Sequence, residues 1–503
     1  VMGAVFAVHA ACIRGVEAVP VTVEVSMSQG LPGMSILGMA DISVQESRGR
    51  VRSALRSAGF DIPRRSIVVN LAPSDMRKTG SGLDLPIAVA ILAASGQIPL
   101  NGLDDCLFVG ELALDGTVNP VKGEVAYQLL ARDRKLVLVG ARDGQHVPIA
   151  GALHRCLPDL GRLAAGVKDA VREVTAACAP GSTGAPLDFA DVVGQETAKR
   201  AIAIAATGEL GMLMVGAPGS GKTMLAVRMT SILPALDELE QQEALSIHSV
   251  AGEPIDALLA GVRPFRNPHH SVSSAGLIGG GRPVRPGEIS LAHGGVLFLD
   301  ELGEFPPGVL QALRQPIEEG CVRIVRADGM YRFPARFQLL AASNPCPCGY
   351  LGDRAIACTC SAAAIERYRA RLAGPLIDRI DLIVDVARPD PELIVQGAEG
   401  LSTADLKRAV AGGRAFRAWR RARAGDGASA EDSRSGSRAL RGCALDRKAE
   451  AAILGLARRG SLTGRGVARL CRIARAIADI DECEEVGEAH VLEAGVFQGR
   501  RPT

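Results

Sequence analysis

The run Gly216-Ala217-Pro218-Gly219-Ser220-Gly221-Lys222-Thr223 has the residue types and spacing of a phosphate-binding loop. Its glycines let successive backbone N–H groups turn inward around phosphate oxygens. Lys222 brings a charge to the β- and γ-phosphates, and the Thr223 hydroxyl is placed to ligate Mg²⁺. Such a loop needs a metal-side carboxylate and a base. Val296-Leu297-Phe298-Leu299-Asp300-Glu301 offers both, as four apolar residues followed by two acids. Asp300 would hold the Mg²⁺ shell, and Glu301 would orient or deprotonate the attacking water. After the apolar run 337–342 come Ser343 and Asn344. Asn344 would position that water, the alternative being an ordinary turn residue. ATP and Mg²⁺ are the cofactors these residues ask for.

Arg379, in Leu376-Ile377-Asp378-Arg379-Ile380-Asp381-Leu382, is a candidate arginine finger. A finger acts on a neighbouring subunit's γ-phosphate and is worth roughly 10³-fold or more in rate; a salt bridge to Asp378 or Asp381 is the plainer reading. Cys346-Pro347-Cys348 and Cys358-Thr359-Cys360 place four thiols in one loop. Four thiolates can make a tetrahedral Zn²⁺ site, although C-x-C is tighter than the usual spacing. A reduced, unliganded loop or a redox-active pair are the alternatives. His269-His270 shows no partner ligands and reads as conformational or subunit-contacting.

These groups need elements to hold them. Residues 212–215 read as a buried strand into the phosphate loop and 222–231 as the helix out of it; 296–299 reads as a parallel core strand. Residues 1–175 alternate short β-rich runs (19–27, 66–71, 135–139) with helical patterns (42–58, 85–94), as a compact α/β domain does. A Gly/Pro/Ser-rich linker follows at 179–186. The nucleotide chemistry occupies 187–388. Residues 389–438 form a connecting helix and a polar linker, disordered by composition at 425–437. A helical domain fills 439–498, where Leu470, Ile473, Ala474 and Ile477 mark one apolar helix face.

Further motifs carry a family resemblance. Phe265-Arg266-Asn267-Pro268-His269-His270, Gly279-Gly280-Gly281, and Arg285-Pro286-Gly287-Glu288-Ile289-Ser290-Leu291-Ala292-His293 precede the acidic strand, and Asn344-Pro345-Cys346-Pro347-Cys348-Gly349 follows it. With Asn70-Leu71-Ala72-Pro73 and Asp84-Leu85-Pro86-Ile87-Ala88, the chain resembles the magnesium-chelatase-like AAA+ ATPases of the ComM/YifB group. The resemblance implies an α/β fold in three parts. These are an N-terminal domain like that of Lon protease (ribosomal S5 domain 2-like), a P-loop AAA+ core with a parallel sheet, and a C-terminal helical lid. It implies a hexameric, ATP-driven DNA motor with helicase or branch-migration activity in recombination and transformation. It also assigns Asn344 the sensor 1 role and Arg465 the sensor 2 role. Thr463-Gly464-Arg465 stands where Ser-Ala-Arg is common, and Gly208-Glu209-Leu210-Gly211 where Gly-Gly-His-Asn is usual. DNA would be gripped by Arg282 and Arg285 beside the glycine run, and by Arg323, Arg326 and Arg332 on a hairpin at 321–333 turning at Asp328-Gly329.

The Lon likeness stops short of its chemistry. In Lys78-Thr79-Gly80-Ser81-Gly82 a glycine occupies the nucleophile's place, and Glu124-Val125-Ala126 stand where the partner lysine is expected. Lys122 lies nearby, so a rearranged dyad with Ser81 can be imagined, but a nucleophile without a positioned base is inert. The block therefore reads as an interaction or ring-assembly domain.

The chain has 503 residues, too many for one core. Its net charge of +2 confines any DNA-binding surface to a local patch. Neither a signal peptide nor a run of about 18 apolar residues is found, so the chain reads as cytoplasmic. An alternative function is a chaperone-like remodeller that drives a protein or metallocofactor complex with the same ATPase.

Overall fold

The computed structural model describes residues 5–142, 146–174, 187–353, 355–372, 376–396, 400–423 and 442–498. The linkers expected at 179–186 and 425–437 lie outside the described residues.

The N-terminal unit is built on an antiparallel pair. Val5–Arg14 and Glu17–Ser28 run side by side in full register, Val8 opposite Val23, joined by a tight turn in which Gly15 takes φ +69°. In the second strand Val21, Val23, Val25 and Met27 are buried while the residues between them are not, the period-two pattern of a half-covered sheet. Six more strands complete an eight-stranded mixed sheet. Its order is Arg172–Glu173, Leu153–Cys156, Val137–Gly140, Cys106–Phe108, Val5–Arg14, Glu17–Ser28, Ser66–Ala72, Gly33–Leu37. The helix Ile42–Ser57 starts where the Asp41 carboxylate accepts the Val44 N–H at 2.9 Å. The helix Asp84–Ala94 is buried from Asp84 to Ala93, so it reads as continuously apolar rather than amphipathic.

The central unit carries a five-stranded parallel sheet in the order Phe265–Arg266, Val296–Leu299, Gln338–Ser343, Met212–Val215, Leu382–Asp385. Helices cover it on both faces, which is why these strands are nearly unbroken apolar runs. Two ribbons stand outside the sheet: Gly279–Gly280 with Arg285–Pro286, and Cys321–Arg326 with Gly329–Pro334. The second pairs Arg326 with Gly329, so it turns at Ala327-Asp328, one residue earlier than expected.

The helices Thr403–Arg423, Arg447–Arg459, Gly464–Ile480 and Glu488–Val496 form the C-terminal bundle. Leu470, Ile473, Ala474 and Ile477 are fully buried and share one core with the central helix Glu196–Gly208 and the P-loop strand. The close packing of Thr403–Arg423 there depends on a missing side chain. A Cβ on Gly413 would stand 2.7 Å from Thr207 Cγ2. The helix expected merely to connect is therefore packed into the bundle.

The N-terminal unit also grips the central one. The Gly123 N–H donates to the Ser249 carbonyl at 3.0 Å, and Val125 and Val147 share an apolar cluster with Leu236, Leu245, Ile255 and Leu258. Among the described residues no helix is long and apolar enough to cross a membrane.

Candidate ATP site and its surroundings

Parallel register assembles this site. Val215 pairs with Ser343 and Leu299 with Ala341, so the residues that follow each strand emerge side by side at one end of the sheet. Gly216 must be glycine, since a Cβ there would meet the Val386 carbonyl oxygen at 2.2 Å and Ser220 Oγ at 2.8 Å. Gly221 turns the loop into the helix Lys222–Ile232 at φ +92°, a conformation open to glycine. Lys222 is buried, and its Nζ donates to the carbonyls of Gly216 at 2.7 Å and Ala217 at 3.0 Å and to Asn344 Oδ1 at 3.4 Å. Burial pulls its ammonium below the ordinary range, while Asp300 and Glu301 oppose that shift.

Thr223 Oγ1 donates to Asp300 Oδ2 at 2.8 Å. The two groups expected to share a Mg²⁺ shell are thus already in contact, a donor set of hydroxyl and carboxylate oxygens that suits that hard ion. The Glu301 N–H donates to Asp300 Oδ1 at 2.9 Å, and Glu301 takes φ +52°, an unfavoured conformation for a residue with a side chain. Its carboxylate lies 3.4 Å from His270 Nδ1. His270 in turn packs on His269, with ring centroids 4.0 Å apart, and edge-on to Phe305. The partner of this histidine pair is thus the candidate base, from a strand that begins 26 residues further along; nothing local signals that contact. Arg266 of the same motif is held by Glu288 at 2.6 and 2.8 Å, which ties two of the resemblance motifs together.

The cysteine loop leans on the phosphate loop. A Cβ on Gly349 would lie 2.6 Å from Pro218 Cδ, and Arg388 reaches from Asp353 (3.6 Å) to the Pro218 carbonyl (3.5 Å). Cys346, Cys348 and Cys358 have sulfurs 3.4 to 3.7 Å apart, and Cys360 Sγ accepts the Cys348 N–H at 3.3 Å. All four sulfurs lie within 4.8 Å of one another. A tetrahedron with Zn–S bonds of about 2.3 Å has an edge of about 3.8 Å, so the spacing fits zinc. Backbone N–H groups of Tyr350 and Thr359 hold the Cys348 thiol down to about 6, while burial and the neighbouring thiols push Cys358 and Cys360 up.

The arginines are placed less simply. Arg379 pairs with Glu318, with Nε 2.8 Å from the carboxylate. It precedes the strand Leu382–Asp385, which runs parallel to Met212–Val215, and so it sits at the sheet end opposite its own phosphate loop. Arg465 is exposed at the start of the helix Gly464–Ile480. That helix is anchored by Arg469 to the Ile380 carbonyl and by Arg472 to Asp381, again at the far end of the sheet.

Of the candidate DNA contacts, Arg282, Arg285, Arg323 and Arg326 are all exposed, and Arg323 is paired with Glu319 at 3.3 Å. Arg326 brings the two ribbons together, its Nη2 standing 3.5 Å from where a Cβ on Gly280 would be. The N-terminal turn joins them, as the Arg14 guanidinium lies 5.8 Å from the centre of the Tyr331 ring. Arg14 escaped the sequence reading because it lies in another unit, far away along the chain. In that unit Ser81 Oγ donates to Glu111 and Lys122 Nζ to the Ala251 carbonyl, so no Ser–Lys dyad is assembled from these two residues.

Sheet order, phosphate loop and acidic strand together define an AAA+ ATPase. Residues 188–393 match the model of magnesium chelatase, subunit ChlI; residues 23–141 match that of subunit ChlI of Mg-chelatase, and 400–498 its C-terminal part. The chain belongs to this magnesium chelatase ChlI family. It is 38% identical to the uncharacterized protein YifB of Escherichia coli, over 97% of this chain and 96% of that one. Identity to the competence protein ComM of Haemophilus influenzae is 38% over the same shares. The magnesium-chelatase 67 kDa subunit of Heliobacterium mobile is 28% identical over 37% of this chain and 32% of its own.

Proposed function

We propose that this magnesium-chelatase-like ATPase is a hexameric DNA motor with helicase or branch-migration activity, acting in homologous recombination and natural transformation. The observation that carries the reading is the junction of the two arginine-bearing ribbons at Arg326 and Gly280, joined by Arg14. In a ring these ribbons would face the central pore, tracking phosphates without reading bases. The similarity to a protein named for competence supports the same setting.

The phosphate loop from Gly216 to Thr223 holds ATP. Lys222 leaves the loop's own carbonyls for the β- and γ-phosphates, and Thr223 and Asp300 hold Mg²⁺, which neutralises charge on the phosphates when bound. Glu301 takes the proton of the attacking water, and Asn344, already touching Lys222, orients that water. Arg379 meets the nucleotide of a neighbouring subunit, since it is anchored at the far end of its own sheet, and Arg465 serves as the sensor 2 arginine. Cys346, Cys348, Cys358 and Cys360 hold a structural Zn²⁺.

The test is steady-state ATP hydrolysis with and without single-stranded and forked DNA, beside Lys222→Ala. DNA is expected to raise the Lys222-dependent rate several-fold, and Arg282→Glu with Arg326→Glu to abolish that stimulation while sparing the basal rate. Hydrolysis indifferent to DNA sinks the DNA motor. The second reading, a remodeller of a protein or metallocofactor complex, then takes its place, supported by the likeness to a magnesium-chelatase subunit.

A further inference from the structure

A second group of metal-binding side chains lies outside the ATP site, in the N-terminal unit. Glu124 opens the helix Glu124–Arg134, His146 lies in the segment after the strand Val137–Gly140, and His154 is on the strand Leu153–Cys156. His146 Nδ1 is 2.6 Å and His154 Nδ1 3.4 Å from the same oxygen, Glu124 Oε1. The three ligand atoms lie within 4.8 Å of one another. All three side chains are nearly buried, with exposures of 11%, 14% and 10%. A small pocket beside them is walled mainly by Val109, Pro120, Tyr127 and Leu138.

Hydrogen bonding alone leaves this group unsatisfied. Gln128 Oε1 is buried without a partner, which is costly in an apolar core. Gln128 Nε2 faces His154 Nδ1 at 3.2 Å. Exchanging the O and N of that amide turns the orphan oxygen inward as a further ligand. His146 is framed differently. Its Nδ1 faces a carboxylate and its Nε2 the Arg142 carbonyl, two acceptors. A metal ion replacing the proton on Nδ1 would leave Nε2–H on a backbone carbonyl, the usual outer support of a ligating histidine.

We propose that Glu124, His146 and His154 form a zinc site, with Gln128 as the adjacent amide ligand. Two imidazole nitrogens and one carboxylate oxygen are a donor set that zinc takes. Binding would release the proton shared by His146 Nδ1 and Glu124, and would replace their hydrogen bond and the one between Gln128 and His154 by bonds to the ion. The position gives the ion a mechanical role. Val125 and Val147 each follow a ligand directly, and both are packed against Leu236, Leu245, Ile255 and Leu258 of the ATPase unit. The ion would fasten together the two N-terminal segments that grip that unit.

The cysteine loop is a second claimant for metal, so the test separates them. Full-length protein carrying Cys348→Ser and Cys358→Ser is stripped with chelator and titrated with Co²⁺. It is expected to bind one equivalent, with absorption bands of nitrogen and oxygen ligation and no thiolate charge-transfer band. Zn²⁺ then displaces the cobalt and raises the melting temperature. Adding His154→Ala or Glu124→Gln abolishes that binding. If the cysteine variant, whose Glu–His–His group is intact, binds no Co²⁺ and gains no thermal stability from Zn²⁺, the group is only a hydrogen-bonded pin and the proposal falls. That result does not depend on the histidine variants folding.

Discussion

At Glu301 a carboxylate, a strained backbone and an imidazole meet. Its φ is +52°, and His270 stands 3.4 Å from its oxygen. If Glu301 handles the water's proton, Glu301→Gln leaves ATP binding intact and lowers kcat by about 10²- to 10⁴-fold. Equilibrium nucleotide binding and single-turnover hydrolysis check the two halves separately. Lys222→Ala, by contrast, should weaken binding as well, because it removes the charge proposed to meet the phosphates. His270 contributes by holding the carboxylate. A partly exposed pair of this kind is worth about 1 kcal/mol or less. His270→Ala should therefore lower kcat a few-fold with KM for ATP unchanged. A change confined to KM would show that the histidine positions nucleotide instead.

At the scale of elements, the cysteine loop and the helix Glu238–Ala251 each act as braces. The loop meets the phosphate loop through Gly349 on Pro218 and through Arg388. If the four thiols hold zinc as proposed, removing it with a chelator, or substituting Cys348→Ser, should raise KM for ATP several-fold while far-UV circular dichroism changes little. Unchanged ATP kinetics in zinc-free protein would separate the loop from the site. The second brace is Glu243. It accepts from His293 at 2.9 Å and Arg336 at 2.6 Å, and these partners pull its carboxyl from 4.5 down to about 2. A depressed folded-state pKa stabilises the fold above the ordinary value and loses that contribution as pH falls from about 4.5 toward 2. Glu243→Gln should lower the melting temperature at neutral pH and flatten its decline across that acid window. Parallel melting curves for both proteins from neutral to acid pH would refute the assignment.

The whole molecule sets the arginines apart from their own nucleotide. Arg379 lies at the sheet end opposite Gly216, held there by Glu318. Any contact with a γ-phosphate has to be made on another subunit. Arg379→Ala should lower hydrolysis by roughly 10³-fold without weakening ATP binding. Mixing it with Lys222→Ala subunits should restore part of the rate, since one interface then has an intact loop facing an intact arginine. Mixtures as inactive as either parent would place Arg379 in a purely structural pair.

Much of this was legible from residue order alone. The phosphate loop, the acidic strand, Asn344 and the four cysteines are each contiguous or nearly so, and their chemistry follows from residue type at short spacing. The apolar face of Leu470, Ile473, Ala474 and Ile477 was equally plain, because one helix surface is determined by its own periodicity. Tertiary structure decided what joins distant segments. It set His270 on Glu301, Arg379 on Glu318, Arg326 beside Gly280, Arg14 over Tyr331, and Glu124 between two histidines. The physical reason is the same in each case. Such contacts arise from strand register and from the packing of one unit on another, and both are settled by the summed burial of whole surfaces, which no local pattern records.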